Sequence, residues 1–289
     1  MVLIQSMYDS LIDYIENKGH ATEYENSDVK DDALRTLSLL ARSQMVENQA
    51  LEAVVGFEDD SPRFWNMSAT NLIASTSTGE GMNYCGFTTV IVSLILRFTR
   101  EQFQYYLLTD EAAPSFLQND GHCVCSASSM FDKAEVNISC LEGLYAELKY
   151  RQNLSAEELE KLPFLLVVFG EPQRLEDVCN YVKYPHLDDI FGLLCRCGKQ
   201  LRATCMLTTR RLEREQLYFR FADAFTCRLA GTVDMYSVKK LMPDAVRLMA
   251  PGDERDRKKY IFCDGCAHYV VRTHHYYLGI ALFRRYDKC

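Results

Sequence analysis

Three features are missing from the sequence, and each absence narrows the reading. No stretch approaches 18 uninterrupted apolar residues, so the 289-residue chain is not expected to cross a membrane by itself. Basic residues are not in excess: 32 lysines and arginines face 40 aspartates and glutamates, a net charge of −8. Duplex-binding surfaces usually need positive charge, so no nucleic-acid partner is expected. The opening residues, MVLIQSMYDSL, have neither a basic region nor a small-residue cleavage site, and no secretory signal is read there. The 12 cysteines are therefore expected to be reduced thiols. Several, including Cys179, Cys205 and Cys227, sit in apolar runs where cysteine behaves as a small hydrophobe.

The composition that remains, 48% apolar and 25% charged, is that of an ordinary globule long enough for one large domain or two small ones. Residues 1–55 read as a helical lead-in: Ile4, Met7, Tyr8, Leu11, Ile12 and Ile15 have helical spacing, and a polar, acidic stretch from His20 to Asp32 separates them from a second helical pattern. Residues 56–289 read as the main domain. There, apolar runs of strand length alternate with helical patterns, which predicts an α/β fold with a mostly parallel sheet. Strands are expected at 71–76, 103–109, 123–126, 164–169, 203–209 and 224–230, with two more in KYIFC and HYVVRT. Helices are expected around Val90–Phe98, Leu141–Leu148 and Leu187–Leu194, with a last one from about His275. Asp132 and Glu135 have the spacing of a cap for the second of these.

NLIAS-TSTGEGMN-YCGFTTVIVSLIL has the strand, glycine-containing turn and helix with which α/β proteins hold phosphate, because free backbone N–H groups and the helix dipole face the anion there. A working P-loop reads G-x-x-x-x-G-K-[ST]. Here the eight positions are Thr76, Ser77, Thr78, Gly79, Glu80, Gly81, Met82 and Asn83. The second glycine is kept as Gly81. Thr76 replaces the first, Met82 the lysine that faces the phosphates, and Asn83 the hydroxyl that holds magnesium. Further on, FLLVVFGEP is an apolar strand ending in Gly170 and Glu171, where a Walker B strand ends in two acidic residues. GKQLRATCMLTTRR then supplies a helix end, a strand and a polar Thr-Thr-Arg tip.

In this order the segments resemble the FtsK/SpoIIIE group of RecA-like motor domains, in which a helix, a "sPEqlqfyLiD" strand, a Walker B strand and a "GiHlilttqR" strand follow one another. VVGFEDDSP ahead of the turn is similar to the "vGlvDdPe" lead-in of the tandem ATPase domains in the type VII secretion coupling ATPases, the EssC/EccC family. The resemblance covers residues 54 to 250 and implies a three-layer, RecA-like P-loop NTPase fold. It also implies phosphate contacts at Thr76 to Asn83, a vestigial base at Glu171 and a sensor at Thr208 to Arg210.

Met82, Asn83 and Gly170 depart from the family's pattern together, and all three departures remove ligands from one magnesium–triphosphate unit. The expectation is a degenerate ATPase domain with no required cofactor and no metal, in which weak ATP binding through the turn amides of Gly79 to Asn83 could persist. The family further implies the last ATPase domain of a membrane-anchored motor, on the cytoplasmic side. Its partners would be neighbouring ATPase domains of the same chain and secreted helical-hairpin substrates. QLYFRF (216–221) and HHYYLGIALF (274–283) are candidate substrate-binding segments because of their aromatic content.

Two other functions stay open. One is an active DNA translocase with a variant P-loop, which would need duplex-stimulated turnover. The other is a zinc-dependent interaction module built on Cys263-Asp-Gly-Cys266-Ala-His268 with Cys123/Cys125 or Cys195/Cys197. The first of these cysteine motifs reads more simply as a turn between two strands.

Overall fold

A computed structural model describes residues 51–58, 61–75, 82–109, 115–118, 120–127, 134–232, 235–252, 259–265 and 267–272. The predicted helical lead-in, the Asp132/Glu135 cap and the last helix from His275 lie outside the described residues.

The elements are β1 (Glu52–Glu58), β2 (Ser61–Asn66), β3 (Leu72–Ser75), α1 (Met82–Ile95), β4 (Phe103–Leu108), α2 (Ser115–Gln118), β5 (Cys123–Ala127), α3 (Ala134–Gln152) and α4 (Ala156–Glu160). They continue with β6 (Phe164–Gly170), α5 (Pro172–Val182), α6 (Leu187–Cys197), β7 (Ala203–Thr209), α7 (Gln216–Arg220), β8 (Cys227–Gly231), α8 (Met235–Leu241), β9 (Lys259–Asp264) and β10 (Ala267–Arg272). The strands form one sheet of order β2-β1-β10-β9-β8-β3-β7-β6-β4-β5. From β8 to β5 every neighbouring pair is parallel. From β8 to β2 every pair is antiparallel. The fold is thus α/β with a mainly parallel central sheet, as the alternating pattern predicts.

Successive strand residues face opposite sides, and the two sides carry separate cores. Leu165, Val167 and Phe169 of β6 point into a core formed with α3, α5, α6, α7 and α8. Phe164, Leu166 and Val168 point into a second core formed with α1 and with residues of β1, β2, β9 and β10. Helices on both faces make the third layer, and they explain why β6 and β7 are buried at every position. α1 is apolar nearly all round because it is buried along most of its length: Phe87, Val90, Ile91, Val92, Leu94 and Ile95 are all inaccessible. Its Ser93 hydroxyl accepts from Val54 N–H at 3.0 Å and so ties β1 to the helix.

Three details differ from the sequence reading. VVGFEDDSPRFW forms two paired strands, β1 and β2, and β1 crosses the boundary drawn between residues 55 and 56. The strand expected at 224–230 starts at Cys227, after a 3-10 turn over Ala222–Ala224. The thiols are not all reduced: Cys125 of β5 and Cys140 of α3 are joined in a disulfide. Packing of α3 across the sheet edge brings their Cα atoms to 6.1 Å, a proximity that residues 15 apart do not reveal in sequence.

Candidate functional site

In open α/β sheets ligands bind beyond the C-terminal ends of parallel strands, where connections leave in opposite directions. Here β3 leads to α1 and then β4 on one side of the sheet order, while β7 leads to β8 on the other. The edge formed by Ser75, Thr209, Gly170 and the start of α1 is therefore the place to look.

Register brings the motif ends together. Gly170 pairs with Thr208, and Thr208 pairs with Ala74, so the sensor-like strand β7 runs between the strand that leads to the turn and the strand that ends at Gly170. Thr76 to Gly81 lie outside the described residues, and Met82 and Asn83 are the first residues of α1. Thr208 shares the face of Met206, the α1 side, and its fully buried hydroxyl makes no hydrogen bond.

Glu171 caps α5 with φ 53° and ψ 63°, the left-handed region, which costs a non-glycine residue about 1–3 kcal/mol. Pro172 follows at the first helical position, where its missing N–H is no loss. Several bonds hold the strained residue. Its N–H donates to Thr208 O at 2.8 Å, and its Oε1 accepts from Arg210 N–H at 2.8 Å and Arg210 Nε–H at 3.0 Å. The two side chains are largely buried, so the ion pair is screened far less than a surface pair.

A second carboxylate, Glu215, was not singled out in the sequence. Its Oε1 accepts from Thr209 Oγ1 at 2.7 Å and its Oε2 from Gln173 N–H at 2.9 Å. Burial pushes the Glu215 carboxyl up to about 7; the Thr209 hydrogen bond opposes this and the charge of Glu171 adds to it. The only sequence signal for its role is its place just after the Thr-Thr-Arg tip. On the face opposite α1, Ser75 and Ser237 of α8 share a 2.6 Å hydrogen bond at the end of β3.

The strand ends do not fit a bound magnesium ion. A Cβ at Gly170 would lie 3.1 Å from both Cβ and Cγ2 of Thr109 and 3.3 Å from its Cα, so Thr109 crowds the space a metal-ligating side chain would enter and would have to shift by a few tenths of an ångström to admit one. The nearby carboxylate, Glu171, already holds Arg210.

The other candidates separate. Cys263 and His268 face each other across the β9–β10 hairpin, whose turn contains Gly265 at φ 61°, and Cys125 is taken by the disulfide. Among the described residues, no three His, Cys, Asp or Glu side chains are grouped to hold a metal. In 216–221, Leu217 and Tyr218 are buried while Phe219 is exposed; 274–283 lies outside the described residues. No helix among the described residues is long and apolar enough to cross a membrane.

No protein-family model and no curated protein matches the sequence. Solved structures do. The cytoplasmic domain of the Thermomonospora curvata type VII secretion ATPase EccC matches 81% of this chain with a TM-score of 0.63 at 14% identity. EssC ATPases 2 and 3 from Geobacillus thermodenitrificans match 84% at a TM-score of 0.56 and 15% identity. The pCW3 conjugation coupling protein TcpA, in monomer form with ATPgS, matches 83% at 0.57 and 14%. The chain spans 31% of the EccC structure, 49% of the EssC structure and 72% of the TcpA structure. At these identities the likeness is one of fold: the chain has the RecA-like P-loop ATPase fold that these secretion and conjugation ATPases share.

Proposed function

We propose that the chain is a degenerate ATPase domain of a type VII secretion motor, one that does not hydrolyse ATP and that recruits substrate or regulates neighbouring ATPase domains. The observation that carries this reading is the engagement of Glu171. A catalytic base must be able to reach an attacking water, and here the carboxylate in the base position is bound by the backbone and side chain of Arg210. Met82, Asn83 and Gly170 remove the groups that would hold the triphosphate and its metal, the electrostatic elements on which phosphoryl transfer chiefly depends. Weak nucleotide binding without metal is compatible with the buried, unpaired hydroxyl of Thr208 beside the strand that leads to the turn.

Recruitment draws support from a further structure of the same fold, Thermomonospora curvata EccC ATPases 2 and 3 in complex with a signal sequence peptide, which matches 80% of this chain at a TM-score of 0.54 and 12% identity. By that analogy the partners are adjacent ATPase domains and helical-hairpin secreted proteins, and the domain belongs to the cytoplasmic part of a membrane-anchored motor.

Two measurements test the reading. Steady-state phosphate release should not rise above a no-protein control, with or without duplex DNA; release abolished by Glu171→Gln would overturn it, and stimulation by duplex would favour a translocase. In calorimetry, a helical-hairpin substrate encoded beside this chain should bind. Absence of binding to the domain, alone and joined to its upstream neighbour, would reject recruitment.

A further inference from the structure

The strand edge has gained contacts as well as lost ligands. Thr109, the residue after β4, is buried, and its N–H donates to Ala127 O of β5 at 3.1 Å, which fixes its position beside Gly170. At 3.1 Å from Cβ and Cγ2, the slot beside Gly170 cannot take even a methyl group without displacement of Thr109. At the same strand ends Glu171 has a cation, but the cation is Arg210. Glu215 completes the arrangement, because it binds Thr209 of β7 with one oxygen and the first turn of α5 with the other. Arg211 N–H adds a bond to Thr209 Oγ1 at 3.1 Å.

We propose that Thr109 and Arg210 form a metal-free lock at the end of β6: Thr109 occupies the space of a metal-ligating side chain, and Arg210 is the resident counter-ion of Glu171. The inference rests on the non-hydrolysing reading above and adds what holds the site in place of a metal. A residue in a strained left-handed cap persists only where its surroundings hold it, and charge-assisted hydrogen bonds to its carboxylate add strongly to that hold. The guanidinium supplies the charge from within the chain, together with the Arg210 amide, so the β6–α5 elbow is braced to the tip of β7 with no ligand bound. Two consequences follow. The elbow's geometry is independent of nucleotide and magnesium, and an aspartate at position 170 meets Thr109 instead of making a metal site.

Thermal unfolding of the full chain tests both parts. The wild-type Tm should be unchanged by magnesium, and any rise with ATP should be the same with and without magnesium. Gly170→Asp should lower Tm by roughly 3–8 °C and should not acquire a magnesium response, while Thr109→Gly combined with it should recover more than half of the loss. If Gly170→Asp does not fold, Gly170→Ala with and without Thr109→Gly completes the same cycle. A Gly170→Asp protein as stable as wild type, or a double variant whose losses simply add, would overturn the steric part.

Glu171→Gln and Arg210→Ala should each lower Tm, and the double variant should lie close to either single. Additive losses would overturn the counter-ion part. A magnesium-dependent rise in wild-type Tm would overturn the lock itself, whereas phosphate release by the wild type would overturn the non-hydrolysing reading; the two readouts are separate.

Discussion

The central parallel strands and the antiparallel edge strand β2 differ in how they are buried. Every residue of β6 and β7 is inaccessible, whereas in β2 only Trp65 is. Strands covered on both faces are apolar or uncharged at each position, while a strand at a half-covered edge need only bury alternate side chains. The parallel half is built from consecutive βα segments. The antiparallel half is assembled from chain segments at residues 52–66 and 259–272, which meet through the β1–β10 pair at Phe57 and Arg272. Stability should therefore be concentrated around β6 and β7 in the parallel half, and function-bearing changes at their strand ends sit on a well-packed base.

The largest effect expected is at the centre of that half. Phe169, fully buried and 4.4 Å from the Phe191 ring, should cost about 3–5 kcal/mol when changed to Ala. Phe64→Ala in β2, at a half-buried position, should cost less than half of that; equal losses in urea titrations would break the comparison. Trp65 is the single tryptophan, and its fluorescence reports the antiparallel half. A single cooperative sheet requires its urea transition to coincide with that of circular dichroism, and an earlier fluorescence transition would show that this half opens first.

Next in size is the disulfide. Cys125 and Cys140 are 15 apart in sequence, and reduction should lose about 3 kcal/mol by the chain-entropy relation, measured as a shift in urea midpoint with and without dithiothreitol. No shift would mean that β5 is held at the parallel edge by its pairing to β4 alone.

A pH effect follows from Glu215. Its carboxyl is raised from 4.5 to about 7 by burial, so the folded protein binds a proton more tightly than the unfolded chain between those values. The contribution is fully present below pH 4.5 and is lost as the pH rises through about 7, a fall in stability of at most about 3 kcal/mol. Glu215→Gln should flatten this part of the pH–stability curve, and an unchanged slope would assign it to another group. The smallest change is expected at Arg220, which is exposed and pairs with Glu176 and Asp188 at 2.7 and 2.8 Å. Arg220→Ala should cost less than about 1 kcal/mol in the same titration.

Much of the parallel half was legible in the sequence because its information is local. FLLVVF is a continuous apolar run and ATCMLTT is apolar apart from its β-branched threonines, and both are strands within a residue of the expected limits. Gly198 read as a helix end, and the structure shows why: a Cβ there would fall 2.3 Å from Leu194 O and 2.6 Å from Ala203 O, so only glycine lets α6 turn directly into β7. The pair of strands in VVGFEDDSPRFW was not legible, since its acidic and proline-containing middle resembles a linker and its partners lie some 200 residues away. Glu215 was missed for a similar reason, because a lone glutamate after a strand carries no signal until burial and Gln173 give it one.

The sequence by itself determined the α/β alternation, the positions of the buried strands and the substitutions at Met82, Asn83 and Gly170, because hydrophobic periodicity and residue identity are properties of neighbouring positions. Only the tertiary structure decided the order of the antiparallel strands, the Cys125–Cys140 pairing, the closure of the Gly170 side by Thr109 and the engagement of Glu171 by Arg210. Each of these depends on which distant segments pack within a few ångströms of one another, and that is set by the sheet as a whole.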